Sequence, residues 1–157
     1  MEPRDRHQRE PGAGGEAMRV ENTSAWPFEQ ISPYTARISA LFRKLGEQFP
    51  DDVTAEMLAR ECIAGKRILW LVLDGEDLKA IATTQVRPTE TGRKIAALMD
   101  LCGDDMNAWI DPVCDALQAW ASEIGADLMS VEGRGGWAPV MKRLGFRETA
   151  RLWRKAA

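Results

Sequence analysis

The chain is poor in the residues that most often carry catalysis. Among 157 residues there is one histidine, His7, and one tyrosine, Tyr34. His7 lies in a head segment rich in Pro, Gly, Arg and Glu, so mechanisms built on a histidine base have no residue to use. The three cysteines, Cys62, Cys102 and Cys114, form no C-x-x-C pair and are odd in number. A disulfide framework or a zinc site is therefore not expected, and they read as small buried hydrophobes. No apolar run approaches the roughly 18 to 20 residues of a membrane helix, and no signal core stands at the N-terminus, so a cytoplasmic protein is expected. A formal charge of -3, from 21 basic and 24 acidic residues, gives no sign by net charge alone of a nucleic-acid or membrane surface and leaves only local patches to provide one.

The composition that remains is that of an ordinary folded domain, 45% apolar and 29% charged. Six tryptophans are a high count; tryptophan joins a large apolar body to an N–H donor and favours cores and interfaces. Residues 1–19 have no apolar periodicity and read as a disordered tail, which is inert, precedes a true start at Met18, or orders on a partner. Residues 20–157 read as one domain.

Along that domain the periodicity changes several times. A first short strand or extended cover is expected around Trp26 to Ile31. Ser32-Pro33 then marks a helix start, with Ile38, Leu41 and Leu45 at helical spacing and Gly46 as its stop. A second helix is predicted from about Thr54 to Gly65. Ile68 to Leu73 is a continuous apolar run, as in a strand covered on both faces; Leu78 to Val86 and Ile95 to Cys102 follow across turns as a three-strand meander. Asp111-Pro112 predicts a helix over Pro112 to Ile124, closed by Gly125. The strand Leu128 to Glu132 completes a βαβ crossover. A short helix from Pro139, capped at Gly145 with Phe146 beyond it, and a last strand from Arg147 to Trp153 end the pattern.

The element order and the phrase Met141-Lys142-Arg143-Leu144-Gly145-Phe146 resemble the Gcn5-related N-acetyltransferase superfamily (GNAT), whose members carry a tyrosine-x-lysine-leucine-glycine-phenylalanine segment there. The resemblance spans about residues 20 to 157. It implies an α/β (α+β) domain: a GNAT-like mixed, mostly antiparallel central sheet flanked by about four helices. It further implies that acetyl-CoA lies where the sheet splays between Ile95–Cys102 and Leu128–Glu132.

The resemblance places the cofactor loop at Cys102 to Asp111. Cys102, Gly103, Asn107 and Ala108, with Arg134 after the next strand, become the candidate cofactor-binding residues, and Asp100 and Glu132 the candidate catalytic carboxylates. Several residues depart from the family pattern. Gly103 stands without the further glycine of the family loop. Asp104, Asp105 and Asp111 bring negative charge toward a pyrophosphate, and Trp109 brings bulk. Arg134 takes the place of an asparagine, and Met141, which has no exchangeable proton, takes that of the tyrosine acid. With these departures the expected function is a GNAT-like domain with a degenerate acetyl-CoA site. It would be a non-catalytic structural or accessory protein acting through a protein partner or as a homo-oligomer, like small GNAT-like proteins of tailed phages, and virion-associated in that case. The alternative is an acyl-CoA-dependent N-acetyltransferase with an atypical loop, using acetyl-CoA. No metal is expected, and nucleic acid has only the basic cluster Lys142 to Lys155 in its favour.

Overall fold

The computed structural model describes residues 18–133 and 137–157. The run Ile68–Asp74 (β2) alternates between two cores, and the fold is built around that alternation. Leu69, Leu71 and Leu73 face one side with Ile38, Leu41, Phe42, Leu45 and Leu58; Trp70 and Val72 face the other with Trp109, Ile110, Val113, Leu117 and Trp120. The unbroken apolar run thus meets its expectation of burial on both faces. Trp70 also meets the Trp120 ring edge-on at 5.6 Å and donates its indole N–H to Thr84 Oγ1 at 2.9 Å, which satisfies the polar end of a buried tryptophan.

Around β2 a single sheet forms in the order β1 (Met18–Asn22), β2, β3 (Asp77–Pro88), β4 (Lys94–Gly103) and β5 (Leu128–Val131). All neighbours are antiparallel except β4 and β5, which are parallel. The helices are α1 (Phe28–Ile31), α2 (Thr35–Gln48), α3 (Ala55–Ile63), α4 (Met106–Glu123) and α5 (Ala138–Arg143). One core holds α2 and α3 against the sheet, the other α4, with Val140, Met141 and Leu144 from the α5 region beside it. Among the described residues no helix is long and apolar enough to cross a membrane. The mixed, mostly antiparallel sheet with helices on both faces is the expected fold class.

Several boundaries differ from expectation. The first strand is Met18–Asn22, so Met18 and Arg19 belong to the sheet rather than to a tail; Met1 to Ala17 lie outside the described residues. Trp26 to Ile31 forms no strand and leads instead into α1 and a 3-10 turn at Ser32–Tyr34. Helix α2 continues through Gly46 to Gln48. Helix α4 starts at Met106, with Pro112 inside it. A proline there costs about 3 kcal/mol, but the added turns bury Trp109 and Ile110, 2% and 1% exposed, each worth about 1.5–3 kcal/mol. Burial wins. The strand expected at Arg147 to Trp153 is absent: that stretch is irregular and exposed. The Gly145 cap is present at φ +89°, with the Phe146 N–H donating to the Met141 carbonyl at 2.9 Å.

Candidate functional site

β4 and β5 stay paired for only part of their length. Ile95 to Leu98 oppose Leu128 to Val131, and beyond that β4 runs on to Gly103 without β5 beside it. The separation starts at a bulge: on the β3 side Thr84 faces Leu98 and Thr83 faces Asp100, so Met99 is the extra residue. A bulge bends its strand and sharpens the local twist, which turns the end of β4 away from β5. On the α4 side, Ala96, Leu98, Met129, Val131, Cys114, Leu117 and Phe146 line an apolar recess at the paired end.

The bulge is held by a chain of charges. Asp100 Oδ2 accepts from Arg67 Nη1 at 2.5 Å and from the Thr83 hydroxyl, and Arg67 Nε donates to Glu61 Oε2 at 2.5 Å. The Arg67 and Asp100 side chains are 10% and 9% exposed. This network ties α3, β3 and β4 together on the α2–α3 face. The Arg67 hydrogen bond holds the Glu61 carboxyl below its ordinary pKa. Burial pushes the adjacent Cys62 thiol up to about 11, which keeps it out of thiolate chemistry.

At the far end of β4, Gly103 lies directly on β3: a Cβ there would stand 2.3 Å from Ala80 Cβ. This close approach is what its lack of a side chain serves. Asp105 follows in the left-handed conformation, φ 58°, as the residue preceding α4, and no side chain caps the helix. Asn107 and Ala108 are exposed in the first turn. An 18-residue helix with an exposed first turn and no side-chain cap presents the positive end of its dipole, a usual feature of an anion site; in that turn the Ala108 N–H already donates to the Asp105 carbonyl at 3.0 Å.

The acidic residues around that end are mostly engaged. Asp104 meets Arg37 at 3.1 Å and Lys44 at 3.7 Å, and Asp111 meets Arg143 at 2.9 Å. Trp109 does not crowd the first turn; it is buried in the core and its indole N–H donates to the Asp104 carbonyl at 2.6 Å, fixing the loop. Asp104 and Asp105 both stand exposed beside the helix end, Asp104 within its exposed ion pairs.

The sequence-predicted residues therefore divide. Gly103, Asn107 and Ala108 come together at the β4–α4 junction. The Cys102 side chain is buried in the α2–α3 core, so only its backbone faces the strand neighbours. Glu132 lies one residue past the last paired residue of β5, and Asp100 two residues past that of β4. Asp100 points to the α2–α3 face and its network, while Glu132 is exposed and 3.6 Å from Arg87. Arg134, Gly135 and Gly136 lie outside the described residues. Trp137 packs its ring over Gly133, where a Cβ would stand 2.8 Å from it. Tyr34 is remote from Met141's helix and donates its hydroxyl to Glu76 at 3.3 Å. Sequence reasoning missed Arg67, Glu61 and Thr83; the signal was a lone aspartate in an apolar strand, which needs a cation to be buried.

No family model matches the chain, and no curated protein matches its sequence. Solved structures match its fold. A GCN5-related N-acetyltransferase from Ralstonia eutropha superposes with TM-score 0.63 at 15% identity, covering 88% of this chain and 98% of the other. A predicted acetyltransferase with acetyl-CoA from Clostridium acetobutylicum gives 0.61 at 13%, covering 88% and 96%. The aminoglycoside N-acetyltransferase AAC(6')-Iy in complex with CoA gives 0.61 at 17%, covering 89% and 94%. At these identities the likeness establishes the fold: the chain has the architecture of the GNAT acetyltransferases.

Proposed function

We propose that the chain binds an acyl-CoA thioester where β4 parts from β5 and transfers the acyl group to an amine. The observation that carries this reading is the end of strand pairing at Leu98 and Val131 beside an α4 terminus with no side-chain cap. Two of the structural neighbours contain CoA or acetyl-CoA. The group fits the residues present: the first turn of α4, with Asn107 and Ala108, would hold the pyrophosphate, and the β4 backbone past the bulge would lie along the thioester arm. Asp105, beside the ion-paired Asp104, is an opposing charge at that end.

When bound, the thioester supplies an activated acyl carbon. The chain's own residues must orient the amine and take its proton. Glu132 is the exposed carboxylate at the opening and serves as the base, directly or through one water. Asp100, engaged by Arg67 and Thr83, holds the bulge and with it the β4 donors that polarise the carbonyl. A C–N bond forms, the C–S bond breaks, the amine proton passes to Glu132, and the sulfur leaves as thiolate. Met141 can give it no proton. Thiol release from acetyl-CoA over a panel of primary amines tests the reading. Turnover with at least one amine is expected, falling about 100-fold in Glu132→Gln; turnover unchanged by that substitution refutes the assignment.

A second reading, an accessory protein acting through protein contacts, of the tailed-phage kind, is favoured by Met141 in the position of the family's acid. It would bind CoA weakly or not at all and release no thiol with any amine.

A further inference from the structure

Glu132, the base of the proposed transfer, stands beside a second charge. Side chains alternate between the two faces of a strand. Ala96, Leu98, Met129 and Val131 pack toward α4, so Ala97, Leu128 and Ser130 turn to the α2–α3 face, and Glu132 continues that row. On β3, Thr84 lines the recess on the α4 side, which sends Gln85 and Arg87 to the α2–α3 face as well. The core beneath α2 and α3 takes nothing from β5, from β3 beyond Ile81 or from β4 before Cys102. Among the described residues this end of the face is therefore free of helix.

One ion pair runs along it. In the register of the sheet Arg87 is level with Leu128, four residues before Glu132, yet its guanidinium reaches the Glu132 carboxylate at 3.6 Å. The side chain thus lies lengthwise toward the strand opening, past the row of Gln85, Ala97 and Ser130. At 3.6 Å the pair is too long for a hydrogen bond, and with the two side chains 47% and 76% exposed it opens at little cost. Both groups keep their hydrogen-bonding capacity for a ligand. Asp100, the one carboxylate within β4 and β5, is already bound to Arg67. A guanidinium beside an available carboxylate suits an acceptor with one ammonium and one carboxylate, whereas a polyamine would set its second charge against Arg87.

We propose that the acyl acceptor is an α-amino acid, bound through its carboxylate to Arg87 and through its ammonium to Glu132, a proposal that rests on the transferase reading. The two protein groups stand side by side, so the ligand's own charges must be close, as they are on a single α carbon. The planar guanidinium takes a carboxylate through two parallel hydrogen bonds, and Ser130 and Gln85 add neutral donors and acceptors along the way. Glu132 holds the ammonium until it loses one proton to water. The neutral amine then forms the C–N bond as the C–S bond breaks, its surplus proton passes to Glu132, and the sulfur leaves as thiolate.

Thiol release from acetyl-CoA by the full chain, with amino acids, their α-amides and the matching decarboxylated amines as acceptors, tests this. At least one amino acid should show kcat/KM about tenfold or more above its amide and its amine. Arg87→Met should raise KM for that amino acid about tenfold with kcat little changed and leave KM for the amide unchanged, and Arg87→Lys should restore part of the loss. That split separates a carboxylate partner from a merely structural residue. Amides or amines turned over as well as the amino acids, or Arg87→Met acting alike on amino acid and amide, overturns the proposal and leaves the transferase reading standing. Turnover confined to amines outside this panel does the same. No thiol release with any amine overturns both.

Discussion

Replacing Arg67 by methionine tests whether the buried charges hold the strand opening. The methionine keeps much of the stem's volume and removes the guanidinium that joins Glu61 to Asp100, both at 2.5 Å. Asp100, 9% exposed, then keeps, among the described residues, only the Thr83 hydroxyl as side-chain partner. Breaking a buried pair on one side costs about 3–5 kcal/mol, because the remaining charge is left uncompensated. With a urea m-value of roughly 2 kcal/mol/M, the midpoint should fall by about 1.5–2.5 M. Arg67→Met with Asp100→Asn removes both charges and keeps an acceptor for Thr83, so it should recover at least half of the loss. The pH dependence has a defined sign. Glu61 is held below its ordinary pKa by Arg67, so its contribution is present above the ordinary glutamate value of about 4.3 and is lost as pH falls through the folded value. That acid-side loss should shrink in Arg67→Met. A midpoint shift below about 0.5 M, or a double variant no better than the single, would refute the reasoning.

Two further substitutions probe the β4–α4 junction. Asp105→Gly relieves a left-handed non-glycine residue, a gain of about 1–2 kcal/mol, but removes a negative charge that favours the positive end of α4, a loss of about 0.3–1 kcal/mol. The net change in chemical denaturation should stay within about 2 kcal/mol, while acetyl-CoA binding in calorimetry should tighten several-fold. Gly103→Ala drives a Cβ to 2.3 Å from Ala80 Cβ and 2.5 Å from the Lys79 carbonyl, with backbone rather than a flexible side chain to yield. It should cost about 1–3 kcal/mol, read as a melting temperature lower by about 3–10 °C, and weaken acetyl-CoA binding as the α4 terminus shifts.

The elements that depend on local pattern were legible in the sequence: the β2–β3–β4 meander, the crossover to β5, and the Gly145 cap. The features that depend on tertiary trade-offs were not. Asp111-Pro112 carries a strong local start signal, yet burying Trp109 and Ile110 carried the helix back to Met106. Arg147 to Trp153 has strand composition, yet no neighbour in its own sheet. At the site, the place of the Gly103 junction was implied by the family resemblance. The pairing of Asp104 with Arg37 and Lys44 could not be read from the sequence, because Arg37 lies 67 residues away in the chain and only the folded sheet brings it near. Asp104, Asp111 and Trp109 counted against a phosphate site when read as a string; in three dimensions two are paired and the third is core, leaving Asp105. The Met99 bulge left no trace in composition, since it is a matter of register alone.

Isothermal titration of the purified chain with acetyl-CoA tests the central claim most directly. Single-site binding in the micromolar range, displaced by CoA and weakened by Gly103→Ala, is the predicted result. No heat and no displacement up to millimolar ligand would contradict an acyl-CoA site between β4 and β5.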